Sequence, residues 1–186
     1  HLVREAINGY LWSDDLGYFR PWSWKQEHGD WFDTTANAFA IAFGLADEEQ
    51  TKSILQYITE HRLAEPYPIR VNHPPIQPGD KDWREYYVTE HELNLPNQYH
   101  NGGVWPWVGG LYVAALVRAG DVDKARETLH RLALANKLGR EREWEFNEAV
   151  EFGPGTLPLT TTCDIELQLP AGMGYQGVAV HSAPDT

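Results

Sequence analysis

Leu95-Pro96-Asn97-Gln98-Tyr99-His100-Asn101-Gly102-Gly103-Val104-Trp105-Pro106-Trp107-Val108-Gly109-Gly110 is the stretch from which the rest of the chain can be read. A polar loop, broken by Gly102 and Gly103, runs into an aromatic helix start. Pro106 suits the first helical turn, where a missing N–H leaves no bond unmade. The pattern predicts a helix over 105–119, apolar nearly all round and therefore deeply buried, with Gly120 placed to end it. Tyr99, His100, Asn101, Trp105 and Trp107 combine flat aromatic faces with an imidazole and an amide. Sugar rings need that combination, because their C–H faces stack on aromatic rings while their hydroxyls take hydrogen bonds. The same residues would serve equally as a tight loop whose tryptophans fill a core.

Helical periodicity extends the reading in both directions. Asp121 caps a following amphipathic helix, with Ala125, Leu129, Leu132 and Ala133 on one face, stopped by Gly139. Upstream, Asp33 is the natural cap of a helix in which Ala36, Phe39, Ala40 and Phe43 recur until Gly44. Asp47 and Gln50 form a capping box ahead of Ile54, Leu55 and Ile58, carrying the next helix to about residue 61. Each pair makes a helical hairpin with an inner apolar and an outer amphipathic member. Repetition of that unit predicts an all-α fold, an α/α bundle, solenoid or toroid. Residues 1–12 read as a helical stretch ending near Gly9, and 14–24 as a short hairpin or loop. Residues 62–94 are proline-rich and lack periodicity, which predicts an ordered loop beside a cleft. The end, 153–186, reads as an irregular tail.

With 186 residues the chain suits one domain. A net charge of −12 and a pI near 5.0 argue against nucleic acid and against an anionic membrane surface as partners. A lone Cys163 excludes an internal disulfide framework, and no run approaches the ~20 apolar residues of a membrane helix. A cytoplasmic protein acting on a carbohydrate is the expectation. No phosphate-binding glycine loop, metal-spaced histidine pair or serine elbow is present, so neither a cofactor nor a metal is expected.

Carboxylates are the remaining chemistry. Asp14 and Asp15, adjacent and followed by a glycine, read as turn residues. Most acids between 141 and 151 read as solvated charges. Glu148 differs in its setting beside Trp144, Phe146 and Asn147, since a carboxylate held among aromatics and oriented by a polar partner can act as a general base.

Three motifs in order, Asp33-Thr34-Thr35-Ala36-Asn37-Ala38-Phe39-Ala40-Ile41, Tyr99-His100-Asn101-Gly102-Gly103-Val104-Trp105-Pro106 and Phe146-Asn147-Glu148, resemble the six-hairpin glycosidases. The chain looks most like the C-terminal part of the bacterial and archaeal amylo-α-1,6-glucosidases of glycogen debranching type. The mannosylglycerate hydrolase and alkaline/neutral invertase groups have related motifs. The resemblance, over about 6–148, implies an (α/α)6 toroid and inverting hydrolysis of α-glucosidic bonds. By motif, Glu148 matches the general base. The general acid of the family lies upstream of anything in this chain. Tyr99, His100, Asn101, Trp105 and Trp107, with Asp33 and Asn37, match substrate-pocket or scaffold positions.

On that resemblance, 1–186 form a single glycosidase-like domain, incomplete at its N-terminus. Self-association, or pairing with a missing N-terminal half, would cover the faces left open. After Glu148 the sequence departs from the family pattern: Tyr175-Gln176-Gly177 only partly echoes the opening of the last inner helix. The alternatives are a non-catalytic carbohydrate-binding scaffold, or another sugar-active α/α enzyme such as an epimerase or lyase.

Overall fold

The computed structural model describes residues 2–85, 94–138, 143–144, 149, 151–152 and 158–159. Among these, five helices carry the architecture: α1 (Leu2–Leu11), α2 (Thr34–Ala42), α3 (Glu48–Glu60), α4 (Pro106–Arg118) and α5 (Val122–Lys137). The predicted caps explain their starts. The Asp33 carboxylate accepts from the Ala36 N–H, Asp47 and Gln50 close a reciprocal capping box, and Asp121 accepts from the Lys124 N–H. Pro106 sits in the first turn of α4.

The helices carry the expected α/α pairing, and small antiparallel ladders accompany them. β1 (Trp12–Ser13) pairs with β2 (Tyr18–Phe19), and β3 (Ser23–Trp24) with β4 (Glu27–His28). β5 (Phe32–Asp33) pairs with β6 (Asn72–His73), and β7 (Glu151–Phe152) with β8 (Pro158–Leu159). Each strand has two residues, too few for the alternation by which a strand is recognised in sequence. The architecture is helix-rich with small sheets.

The two inner helices pack on each other, α2 against α4, and α5 packs along α4. Thr34, Asn37, Ala38, Ala40 and Ile41 give α2 its buried face; Val108, Gly109, Tyr112, Ala115 and Leu116 give α4 its own. Ile54 and Ile58 of α3 complete this core together with Tyr18, Phe19 and Phe32. Asn37 fastens α2 to β2. It is fully buried, its Oδ1 accepts from the Phe19 N–H at 2.9 Å, and its Nδ2 donates to the Phe19 carbonyl at 2.9 Å.

Burial of α4 is less complete than its composition predicts. Trp107, Gly110, Ala114 and Val117 recur along one side and are exposed, Trp107 at 58 %. On α2, Ala36, Phe39 and Phe43 form a similar exposed line, the two phenyl rings stacked 4.2 Å apart. An all-round apolar helix needs neighbours on every side, and here these flanks have none among the described residues. No helix among the described residues is long and apolar enough to cross a membrane.

Candidate functional site

Three separate segments converge on one hollow, and main-chain bonds bring them there. Asp33 and Asn72 face each other in the β5–β6 ladder, and the Thr34 N–H donates to the Val71 carbonyl at 2.9 Å. The Val71 N–H donates to the Gly103 carbonyl at 3.0 Å, so the segment before β6 links the start of α2 to the loop before α4. That loop folds back on itself. Asn97 and Gly102 take positive φ angles of 72° and 105°, and the Asn97 N–H donates to the Asn101 carbonyl at 2.7 Å. At Gly103 a Cβ would stand 2.5 Å from the Tyr99 carbonyl oxygen, so only glycine fits against that backbone.

Asn101 locks the loop to its neighbour. Its Oδ1 accepts from the Ile76 N–H at 2.7 Å and from Asn72 Nδ2 at 3.3 Å; its Nδ2 donates to the carbonyls of Ile76 (2.8 Å) and Asn94 (3.0 Å). The amide of this buried side chain is thus committed within the protein. Asn37 is committed likewise, its Nδ2 also reaching the Asp33 carbonyl at 2.9 Å. Both are scaffold in the geometry seen here.

The hollow so formed has a volume of about 330 Å³. Its lining is more apolar than polar, with Trp31, His100, Trp105 and Trp107 on its walls; Asp33 and Asn72 are among its polar groups. His100 stacks on Trp105, ring centroids 4.3 Å apart and 15° from parallel, and Tyr99 leans on both. The Trp105 indole N–H donates to the Tyr99 carbonyl at 3.0 Å, which fixes a ring already covered by His100 and Tyr99, so the open aromatic face of the lining is that of Trp107. Partial burial holds the His100 imidazole below its ordinary pKa, so it is neutral at pH 7 and able both to donate and to accept. Burial pushes the Asp33 carboxyl above the ordinary carboxylate value, against the pull of the Ala36 and Thr35 N–H groups.

Of the sequence-predicted site residues, Asp33, His100, Asn101, Trp105 and Trp107 line this hollow, and Tyr99 braces it from behind. Glu148 lies outside the described residues, as do its neighbours Phe146 and Asn147. Trp31, Asn72 and Ile76 were not singled out by sequence reasoning. Trp31 had a signal, an aromatic residue two positions before a helix cap; Asn72 and Ile76 sit in the aperiodic segment and had none. Among the described residues no group of three or more His, Cys, Asp or Glu side chains has a metal-holding arrangement.

Comparison with known proteins places these elements in a family. Alkaline/neutral invertase C, mitochondrial, of Arabidopsis thaliana is 27 % identical over 149 residues, which are 77 % of this chain and 22 % of that protein. Probable alkaline/neutral invertase D of Arabidopsis thaliana is 34 % identical over 101 residues, 53 % of this chain and 18 % of that protein. Cytosolic invertase 1 of Oryza sativa subsp. japonica is 32 % identical over 101 residues, 53 % of this chain and 17 % of that protein. The chain therefore spans about a fifth of the length of the curated relatives it matches. The glycosidase resemblance thus falls on the invertase group, not on the amylo-α-1,6-glucosidases that the motifs favoured. The family model described as alkaline and neutral invertase matches residues 15–151, most of the chain, and the chain belongs to that family.

Proposed function

We propose that this chain supplies part of the sugar-binding and catalytic wall of a glycoside hydrolase that cleaves α-glucosidic bonds, with a sucrose-type disaccharide as substrate. The hollow between α2 and α4 supports the reading: the open indole of Trp107 and the ring of Trp31 stand beside the Asp33 carboxylate and the His100 imidazole, the mixture a sugar ring requires. The substrate follows from the names of the relatives, which are invertases. An α-1,6-linked glucoside is the competing substrate, favoured by the motif order in the sequence.

In this reading the two inner helices and their partners are sections of an (α/α)6 ring. Glu148 is the general base of an inverting mechanism, in which it draws a proton from water on one face of the sugar while an acid protonates the leaving oxygen on the other. Two such carboxyl groups stand ~6.5–9.5 Å apart. Asp33, whose oxygen is spent capping α2, is assigned to binding. Of the settings named for the relatives, which include mitochondrial and cytosolic, we take the cytosolic one for this chain.

The test is release of glucose from sucrose and from isomaltose by the chain joined to an N-terminal half that supplies the general acid, and by the same protein carrying Glu148→Gln, with circular dichroism as the check on folding. Loss of general-base catalysis costs about 10²–10⁴-fold, and Glu148→Gln is expected to lose turnover by that factor. Equal rates in parent and variant would remove Glu148 from its role. Sugar binding without turnover by the parent would favour a carbohydrate-binding scaffold.

A further inference from the structure

Four side-chain atoms among the described residues are buried without a hydrogen-bond partner: Asn72 Oδ1, the hydroxyls of Tyr112 and Thr128, and Arg131 Nε. Tyr112, Thr128 and Arg131 belong to α4 and α5 away from the hollow, whereas Asn72 is part of its lining. Asn101 settles which end of the Asn72 amide faces which neighbour. Main-chain groups of Ile76 and Asn94 fix the Asn101 amide, so its Oδ1 can only accept, and Asn72 turns its Nδ2 toward that oxygen at 3.3 Å. The opposite setting would bring two amide oxygens together. Asn72 Oδ1 is therefore left over, an acceptor on a residue only 5 % exposed.

We propose that Asn72 is a specificity-determining residue of the hollow, its Oδ1 accepting a hydrogen bond from one hydroxyl of the bound sugar ring while Asp33 takes the adjacent hydroxyl. The inference rests on reading the hollow as a sugar site. Buried acceptors without partners are rare, because each forfeits the bonds it made to water, and a sugar hydroxyl supplies the missing donor. Asp33 lies directly opposite Asn72 in the β5–β6 ladder, and residues so paired stand about 4.5–5.5 Å apart at Cα with their side chains on one face. The Ala36 and Thr35 N–H groups engage the Asp33 carboxylate, which has about four acceptor positions and so keeps room for a further donor. Two acceptors side by side match neighbouring hydroxyls of one ring. A ring that lacks the hydroxyl facing Asn72 leaves the buried oxygen unpaired, and that is how a hydrogen-bonding site rejects a deoxy analogue. Asn72 thus acts on the choice of sugar, not on the bond cleaved.

The test compares hydroxyls. Glucose, fructose and the single-deoxy analogues of each are titrated calorimetrically into the chain joined to an N-terminal half, the protein of the turnover assay, and into its Asn72→Ala variant. In the parent, loss of one hydroxyl of the better-bound sugar is expected to weaken binding about tenfold or more. In folded Asn72→Ala the same loss should cost about twofold or less, while the other deoxy analogues keep their parental penalties. An Asn72 that only braces Asn101, or whose oxygen is met by a buried water, would weaken every sugar alike and preserve the tenfold penalty, and that result would overturn the proposal. A parent indifferent to every hydroxyl would overturn it too, leaving the sugar site intact. Should Asn72→Ala fail to fold, Asn72→Ser is held to the same criteria, because its shorter side chain can donate to Asn101 without carrying an acceptor to the place of Oδ1. If the parent binds neither sugar, the reading of the hollow falls, and this inference falls with it.

Discussion

Asn101 does more for the site than its size suggests. One amide ties together the Ile76 backbone, the Asn94 carbonyl and the Asn72 side chain, so its removal leaves several buried groups unpaired at once. Each buried hydrogen-bonding group left unmade costs about 1–3 kcal/mol, and Asn101→Ala is expected to lose about 3 kcal/mol or more in urea unfolding. The same variant should bind sugar weakly, through a loosened wall. The imidazoles make a second prediction. Burial lowers the pKa of both His73 and His100, and for His73 the neighbouring His61 and Arg70 add to it. The unfolded chain therefore binds more protons than the folded one just below the ordinary imidazole value of 6.5. Stability is fully present above that value and declines as pH falls through it toward the lowered folded values. Thermal melts should drop between pH 7 and pH 5, and less in His73→Gln. Tyr99, His100 and Trp105 were legible in the sequence because they are neighbours in the chain. Asn72 was not, since its place opposite Asp33 comes from a ladder only two residues long.

At the level of elements, caps decided how well the sequence could be read. The starts of α2, α3 and α5 lie beside Asp33, Asp47 and Asp121, whose side chains answer a local need of the first turn. Among the two-residue strands, β1 and β2 left a local trace in the turn at 14–17 between them, whereas β5 and β6, far apart in the chain, left none. The crossing of α4 with its surroundings is also encoded by a single small residue. A Cβ at Gly109 would stand 2.8 Å from the Pro68 carbonyl oxygen and 2.8 Å from a methyl of Leu132 on α5. Overpacking of this kind costs about 1–3 kcal/mol. Gly109→Ala is expected to lower the melting temperature accordingly, whereas Gly110→Ala, where a Cβ meets nothing within 4 Å, should not lower it.

For the whole molecule, composition argued against partners more than it specified one. The charge of −12 argued against nucleic acid as an expectation, and the paired helices indicated an α/α arrangement, but the exposed flanks of the inner helices could be seen only once the helices were packed. Ala36, Phe39 and Phe43 on α2, with Trp107, Ala114 and Val117 on α4, leave apolar lines open to solvent. Surfaces of that kind favour association. Sedimentation velocity of the isolated chain should show mass rising with concentration, and Phe39→Ser with Phe43→Ser should shift it back toward monomer; a monomer at every concentration would contradict this. The backbone lacing of the site has a different consequence. Because Thr34, Val71 and Gly103 join the walls through main-chain N–H and carbonyl groups, the frame, Asn101 apart, depends little on which side chains it presents. Substitutions at Trp31, Thr35, Ile76 or Trp107 can accumulate without dismantling it, so the lining of the cleft is free to change while the cleft itself is inherited.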